Sequence, residues 1–559
     1  MAENHNAAAT FCATLVDEWI RLGVTQVVIA PGSRSTPLAL AFATRSELEL
    51  HVFHDERSAA FAALGIARST GMCVPLLSTS GTAAAHFHAA VIEARQDDVP
   101  MLVLTADRPP ELHDVGAPQT IDQTHLYGRA AHWYHDPGVA DFEQAATWRP
   151  LARRAVDESR IGPVHLNLAF REPLVGDVGP LPTPLAGAAV GTRVLPTNID
   201  SLVYHLRHPR GLIMTGGTDP DLDVSRLAEV SGWPVLADPR SRRDHTHTVC
   251  AFEDLLRDEQ FATEYQPDVV VRFGPTPASR TLGEWQSRSG ALQVQVNRPG
   301  RRIDPRHDVA FTVQAEPQAV ADALAGALGR ITDLAWTNGW REAETAAQQV
   351  FDDMLGVDSP VSEPGVSRTL VAAVPVGSQL MVSSSMPIRD VEWYSQGRND
   401  MTIHANRGAN GIDGVIATAI GLGLALGQRR PTTLLIGDIA FLHDSSSLTA
   451  LRTRNLDLTI VVVDNDGGAI FSFLPQATLL PPQRFEQLFG TPHGTDVTAL
   501  ARAHGLPCTE IVSLAQLAAE VSHPTGTPRV LHVTTSRVDN VAVHTALHAA
   551  VSAALQSAR

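Results

Sequence analysis

Residues 433–475 read TLLIGDIAFLHDSSSLTALRTRNLDLTIVVVDNDGGAIFSFLP, two short apolar runs on either side of a helix-length segment. The run 433–436 stops at Gly437-Asp438, and the run 458–463 stops at Asp464-Asn465-Asp466-Gly467-Gly468. Asp444 and Ser445 are good N-cap residues and are read as opening the helix between the runs. The pattern is a βαβ unit with polar residues at the carboxyl ends of both strands, where ligands bind in an open parallel sheet. Asp438 and Asn465 then offer hard oxygen ligands, and the glycine-rich backbone beside them offers a carbonyl ligand and diphosphate contacts. That chemistry suits Mg²⁺ holding a diphosphate. The same Gly and Asp residues also serve the tight turns of an ordinary βαβ crossover.

Outward from this unit, strand-like runs and helix-like segments alternate along the chain, which predicts parallel sheets covered on both faces. Residues 1–180 form a first α/β domain, with strands expected at 26–30, 50–53, 74–78, 101–105 and 164–168 and helices at 9–22 and 57–68. Over 176–196 the periodicity is lost while Gly, Pro and Thr accumulate, which reads as a linker. Residues 197–345 repeat the alternation at 211–214, 234–236, 269–273 and 292–296. The turn 215–218 looks like a nucleotide loop but lacks the complete dinucleotide fingerprint, so this domain is expected to be a spacer without cofactor. A third domain, 360–559, opens with a helix at 367–373 and a strand at 379–382 and closes with a strand at 530–533 and a last helix. The first and third domains look like distant copies. A strand ends at Gly32-Ser33-Arg34 in one and at Ser383-Ser384-Ser385 in the other, followed by an Ala-rich helix and a strand ending in Ser80-Gly81 or Gly437-Asp438.

At 559 residues the chain is too long for one core. A formal charge of −17 leaves no basic excess to displace counterions, so nucleic acid is excluded as a general partner. All 43 basic residues are arginine, which excludes lysine Schiff-base chemistry. Cys12, Cys73, Cys250 and Cys508 are scattered without zinc or disulfide spacing, which fits a reducing cytoplasm. The amino terminus has no basic region before an apolar core and is not read as a signal peptide. The apolar stretch 415–427 falls short of a membrane span and is read as a buried helix, so no membrane insertion is expected.

The unit 433–475 resembles the diphosphate- and metal-binding signature of thiamine diphosphate enzymes, which begins Gly-Asp-Gly and ends in Asn. Asp438 and Asn465 stand 27 residues apart, as in that signature, although Ile439 replaces the third glycine and Asp464-Asn465 the usual Asn pair. The resemblance implies three doubly wound parallel-sheet α/β domains of the thiamine diphosphate decarboxylase type: pyrimidine-binding, spacer and diphosphate-binding. That cofactor needs a carboxylate against its aminopyrimidine ring, because the protein's part is to position and tune it. Glu56 in HDERSAAFAALG, after a strand and before an apolar helix, is the candidate; alone it reads as a helix N-terminal acid.

Arg34, Arg108, Arg389 and Arg407 all lie at or just beyond expected strand ends. Arginine forks pair with carboxylates, so several around one cofactor imply substrates with multiple carboxylates. The segments PGSRSTPLAL, HDERSAAF, TADRPPEL to GAPQTIDQ, ANRGANGIDG and NDGGAIFSFLP together resemble the family of 2-succinyl-5-enolpyruvyl-6-hydroxy-3-cyclohexene-1-carboxylate (SEPHCHC) synthases of menaquinone biosynthesis. ANRGANGIDG is the most specific of them. The resemblance implies decarboxylation of 2-oxoglutarate and 1,4-addition of the succinyl carbanion equivalent to isochorismate, two substrates with four carboxylates between them.

Carried over by position, Glu56 activates the cofactor, while Ser33, Arg34, Arg108 and Gln119 hold isochorismate. Ser385, Arg389 and Arg407 surround the 2-oxoglutarate-derived part and the acceptor. Ile412 keeps the cofactor bent, and Ile470, Phe471 and Leu474 wall the reacting carbons. The metal ligands are Asp438, Asn465 and the Gly467 carbonyl, for Mg²⁺ with Mn²⁺ as the alternative. A homodimer is the implied minimum and a homotetramer the fuller assembly. Arg95, Arg280, Arg302 and Arg306 are noted as a second anion group. Two other readings stay open: an acetolactate-synthase-like or oxalyl-CoA-decarboxylase-like enzyme, against which the arginine loops speak, and a non-catalytic binding protein, against which Glu56 together with Asp438 and Asn465 speaks.

Overall fold

The computed structural model describes residues 5–185, 194–196, 199–217, 219, 222–298, 300, 302–329, 331, 333–425 and 430–558. The middle of the expected linker (186–193), residues 197 and 198, Thr218 of the nucleotide-like turn and residues 426 and 427 of the apolar stretch lie outside them.

Three six-stranded sheets follow one another along the chain, and every pairing in them is parallel. The first contains β1 (Gln26–Ile29), β2 (Glu49–Val52), β3 (Val74–Ser78), β4 (Met101–Asp107), β5 (Trp133–His135) and β6 (Val164–Ala169), in the order β2-β1-β3-β4-β6-β5. The middle one contains β7 (Gly211–Thr215), β8 (Val235–Ala237), β9 (Thr248–Val249), β10 (Val269–Phe273), β11 (Leu292–Asn297) and β12 (Phe311–Gln314), in the order β12-β11-β10-β7-β8-β9. The third contains β13 (Gln379–Val382), β14 (Thr402–His404), β15 (Thr432–Gly437), β16 (Leu458–Asp464), β17 (Cys508–Ile511) and β18 (Arg529–Thr534), in the order β14-β13-β15-β16-β18-β17. The outer sheets therefore share one strand order. The middle sheet has the doubly wound order of dinucleotide folds, but Arg240 crosses its switch point, donating from Nη2 to the carbonyl of Gly216 at 2.8 Å.

Central strands such as β3, β4 and β16 are buried on both faces, and this is why they read as unbroken apolar runs. β5, β9, β12, β14 and β17, which the sequence reading did not name, are all two to four residues long, and each is the end strand of its sheet. The segment between β15 and β16 also differs from expectation. Its α-helix is Asp438–His443, starting directly at the strand end, and Ser445–Leu451 is a 3₁₀ segment. Asp444 makes no side-chain cap on the segment that follows it. It is buried, and its carboxylate accepts the N–H of Ala417 at 2.9 Å and the hydroxyl of Ser447 at 2.7 Å.

The first and third units meet through two helices, Glu56–Thr70 and Val415–Leu424, whose alanines and isoleucines share one buried cluster. They cross backbone to backbone. A Cβ on Gly65 would stand 2.2 Å from the carbonyl oxygen of Thr418, and one on Gly421 would stand 2.1 Å from that of Ala62. At the start of the first helix, Arg57 donates to the His443 carbonyl at 2.9 Å and Ser446 donates to Asp55 at 2.7 Å, which moors the Glu56 turn to the third unit's crossover. Overpacking such a crossing costs about 1–3 kcal/mol. Gly421→Ala is expected to lower the unfolding free energy by that amount, whereas Gly71→Ala, where a Cβ meets nothing, tests only the backbone; chemical unfolding followed by tryptophan fluorescence compares the two.

Candidate active site

The register of β15 with β16 pairs Gly437 with Val463 and sets Asp438 beside Asn465 at neighbouring strand ends. Asp438 is buried, and its Oδ1 accepts the N–H of Ile439 at 2.7 Å. Its Oδ2 accepts the N–H groups of Gly467 at 2.8 Å and Asn465 at 3.2 Å. His493 adds a third donor to that oxygen. Its Nδ1 accepts the N–H of Thr495, so Nε2 carries the hydrogen and faces Asp438 Oδ2 at 3.3 Å. Burial pushes the Asp438 carboxyl above the ordinary range, and the Gly467 and Ile439 amides and His493 oppose it.

Asn465 is oriented from behind. Its Nδ2 donates to Glu363 at 2.9 Å, and Glu363 also accepts the hydroxyl of Thr535 at 3.2 Å. The amide oxygen of Asn465 is buried with no hydrogen-bond partner among the described residues. An unsatisfied buried oxygen costs stability, and beside a carboxylate it is the donor a hard cation takes. Gly467 has φ +139°, and a Cβ there would lie 1.9 Å from the carbonyl oxygen of Gly490. Residues 466–468 are therefore pressed under the loop that carries His493. Burial and the neighbouring Asp390 raise the Glu363 carboxyl.

A cavity of about 470 Å³ opens at these strand ends. Asp438, Asn465 and Gly467 line one part; Ser385, Arg389 and Arg407 line another, and Ile412, Ile470 and Phe471 supply apolar wall. Ser385 sits at φ +78°, a strained conformation for a serine, and its carbonyl accepts Arg389 Nη1 at 2.6 Å. Burial lowers the Arg407 pKa, as do Arg240 and Arg389, while Asp238 and Glu392 raise it. Two guanidiniums on one buried wall repel each other, and an anion between them removes that cost. Leu474 is not among the lining residues and is 38% exposed.

All the lining residues fall between Glu363 and Thr491, so the first unit contributes none of them. Its expected residues gather elsewhere, at the carboxyl ends of β1, β3 and β4. Arg34 is buried there, donating to the Phe170 carbonyl at 2.9 Å and pairing with Glu172 at 3.3 Å. Burial and the nearby Arg108 lower its pKa. Arg108 donates to Pro118 at 3.1 Å, and Gln119 exchanges hydrogen bonds with Ser80, each 3.0 Å long. Ser33, beside Arg34, is exposed. Glu56 begins the helix capped by Asp55 on the same sheet edge. Of the second arginine group, Arg306 lies against Gly283, Arg280 pairs with Glu284 and Arg302 with Asp304, while Arg95 binds the Ile161 carbonyl.

Comparison with known proteins gives the family. Residues 9–126 match the thiamine pyrophosphate enzyme N-terminal TPP binding domain, residues 192–382 the middle domain and residues 391–533 the C-terminal TPP binding domain. A 2-succinyl-5-enolpyruvyl-6-hydroxy-3-cyclohexene-1-carboxylate synthase of Chloroflexus aurantiacus is 40% identical, with 96% of this chain and 95% of the relative covered. The synthase of the same name from Thermobifida fusca is 40% identical, covering 99% and 100%. The chain belongs to this synthase family. The protein shares its fold with benzoylformate decarboxylase from Polynucleobacter necessarius. That structure has a TM-score of 0.71 at 17% identity and covers 94% of this chain and 99% of its own.

The residues present fit the family's cofactor: a buried carboxylate, an orphaned amide oxygen and a glycine turn converge on one cavity. Sequence reading missed His493 and Glu363. Glu363 follows Ser362, whose hydroxyl accepts the N–H of Gly365, and so reads as an ordinary first-turn acid. Groups that orient a ligand typically change metal affinity by about 10–100-fold. Glu363→Ala is expected to weaken Mn²⁺ binding by that factor, and Asp438→Asn to weaken it further. Mn²⁺ titration of cofactor-loaded protein followed by electron paramagnetic resonance measures both.

Proposed function

We propose that the protein catalyses the thiamine diphosphate-dependent decarboxylation of 2-oxoglutarate and the 1,4-addition of the succinyl carbanion equivalent to isochorismate, giving SEPHCHC in menaquinone biosynthesis. Near full-length identity to the named synthases supports the reading. The observation in the molecule that carries it is the pair of arginine surfaces, Arg389 with Arg407 and Arg34 with Arg108. Two substrates with four carboxylates need such surfaces; pyruvate does not.

Bound thiamine diphosphate supplies the electron sink for loss of CO₂. Asp438, Asn465 and the Gly467 carbonyl would hold its Mg²⁺ or Mn²⁺, and Ile412 would pack against the cofactor. Arg389, Arg407 and Ser385 bind the dicarboxylate, and Ile470 and Phe471 exclude water from the carbon that loses its carboxylate, which favours charge dispersal. Leu474, outside the cavity lining in the single chain, would extend that wall toward the acceptor. Ser33, Arg34, Arg108 and Gln119 hold isochorismate.

Glu56 is the carboxylate for the aminopyrimidine ring. Because the cavity draws only on the third unit, Glu56 and the Arg34 surface act on the cavity of a second copy, so the working unit is a homodimer at least, and a homotetramer as two such pairs. Residues 1–180 then serve as pyrimidine-binding domain, 197–345 as spacer and 360–559 as diphosphate-binding domain. A cytoplasmic place suits four unbridged cysteines. No helix among the described residues is long and apolar enough to cross a membrane.

Purified protein with Mg²⁺, thiamine diphosphate and 2-oxoglutarate is expected to consume isochorismate, followed by its absorbance. No consumption, or turnover of pyruvate instead, overturns the substrate assignment. Glu56→Gln should cost about 10²–10⁴-fold in turnover while thiamine diphosphate still binds by calorimetry; normal turnover removes Glu56 from the mechanism.

A further inference from the structure

The loop carrying Arg407 is gripped from outside its own sheet unit. Glu93 lies on the helix His88–Gln96 of the first unit and is 3% exposed. Its Oε1 accepts the N–H of Gly408 at 2.9 Å, and its Oε2 accepts the N–H of Ala409 at 2.6 Å. A carboxylate that takes two consecutive amides, one per oxygen, fixes the direction of those peptide planes as well as their position. The approach is close: a Cβ on Gly408 would stand 2.5 Å from the Glu93 carbonyl oxygen and 2.9 Å from the Gln96 Cβ.

The grip is itself anchored by buried charge. Arg68, near the end of the helix Glu56–Thr70, places Nη2 3.3 Å from Glu93 and Nη1 2.5 Å from Asp97. Asp97 also meets Arg240 of the middle unit at 3.4 Å, and Arg240 pairs with Asp238 at 3.0 Å. Charges of alternating sign therefore run from the middle sheet's switch point, through the first unit, to the two amides that follow Arg407. Arg407 feels the near end of the same chain, Asp238 and Arg240, and reaches the cavity wall on its other side.

We propose that Glu93 is a positioning residue for Arg407: its fork on the Gly408 and Ala409 amides sets the backbone from which Arg407 reaches the carboxylates of the bound substrate. The proposal rests on the reading of Arg407 as a substrate-binding residue. Glu93 belongs to the same chain as the cavity it serves, whereas Glu56 serves the cavity of the other copy. One subunit thus supports its own anion site with the unit that activates its neighbour's cofactor.

Glu93→Gln keeps the size of the side chain but turns one acceptor into an NH₂ group facing an N–H. Misplacement of a binding group by an ångström costs up to about 10²-fold, and the expected effect is a 10- to 100-fold fall in kcat/KM for 2-oxoglutarate, mainly through KM. Dissociation constants for thiamine diphosphate and Mn²⁺ should stay within twofold, roughly the scatter of independent sites. In an Arg407→Ala background the same change should cost nothing further, because two residues acting through one contact are not additive. Hydrogen exchange should quicken in peptides spanning 405–412 and stay unchanged in β15. Gly408→Ala, which pushes the loop off the helix, should reproduce this pattern if Glu93→Gln folds poorly. An unchanged KM, a fully additive loss with Arg407→Ala, or unchanged exchange over 405–412 overturns the proposal. If the wild-type protein turns over neither substrate, the functional reading fails, and exchange alone still decides whether Glu93 holds the loop.

Discussion

The contact on which the rest depends is the crossing of two helices at Gly65 and Gly421, where peptide groups touch with no side chain between them. Packing of this kind has no slack, since interiors are close-packed and a single added methyl group must displace backbone. It fixes the first sheet against the third, and with them everything at the strand ends. The mooring of Arg57 to His443, and of Glu93 to the Arg407 loop, adds direction to what the glycines hold at a distance. A chain of three sheets is in this way rigid where its outer units meet.

Around that frame the polar and charged groups divide into two kinds. Some are satisfied inside the fold, such as the buried chain from Asp238 through Arg240 and Asp97 to Arg68. Others are left open toward the cavity: the Asn465 amide oxygen and the Arg389 and Arg407 guanidiniums. Burial makes open groups costly, and a cation with a diphosphate at one end and a carboxylate at the other relieves both kinds of cost. Fold stability and ligand binding are therefore linked at the same residues.

What could be read from the sequence follows from this division. Strands buried on both faces announce themselves as apolar runs, so β3, β10 and β13 were placed with their observed bounds. The unnamed strands are the short ones at the sheet margins; Thr402–His404 and Cys508–Ile511 carry polar residues within a few positions and give no periodic signal. Asp438 and Asn465 were legible because strand-end residues in a βαβ unit converge by topology. His493 and Glu363 were not, because each approaches from a segment remote in sequence, and their partnerships with Asp438 and Asn465 are fixed only by tertiary packing. The helix expected from Asp444 failed for a related reason: a good capping side chain was committed to a different segment, the N–H of Ala417.

The identical strand order of the outer sheets gives the chain an internal near-symmetry. The crossing helices occupy the same station in each, between β2 and β3 and between β14 and β15. Corresponding strand ends, however, have taken opposite chemical characters. After β4 stands Arg108, while after β16 stands Asn465, with Asp438 at the end of β15. At these two corresponding positions one half is fitted to an anion and the other to a cation. A scaffold repeated within one chain and then polarised in this way cannot complete a site by pairing like halves. In the proposed homodimer only the unlike junctions are chemically whole, and four similar sheet edges give two reaction centres.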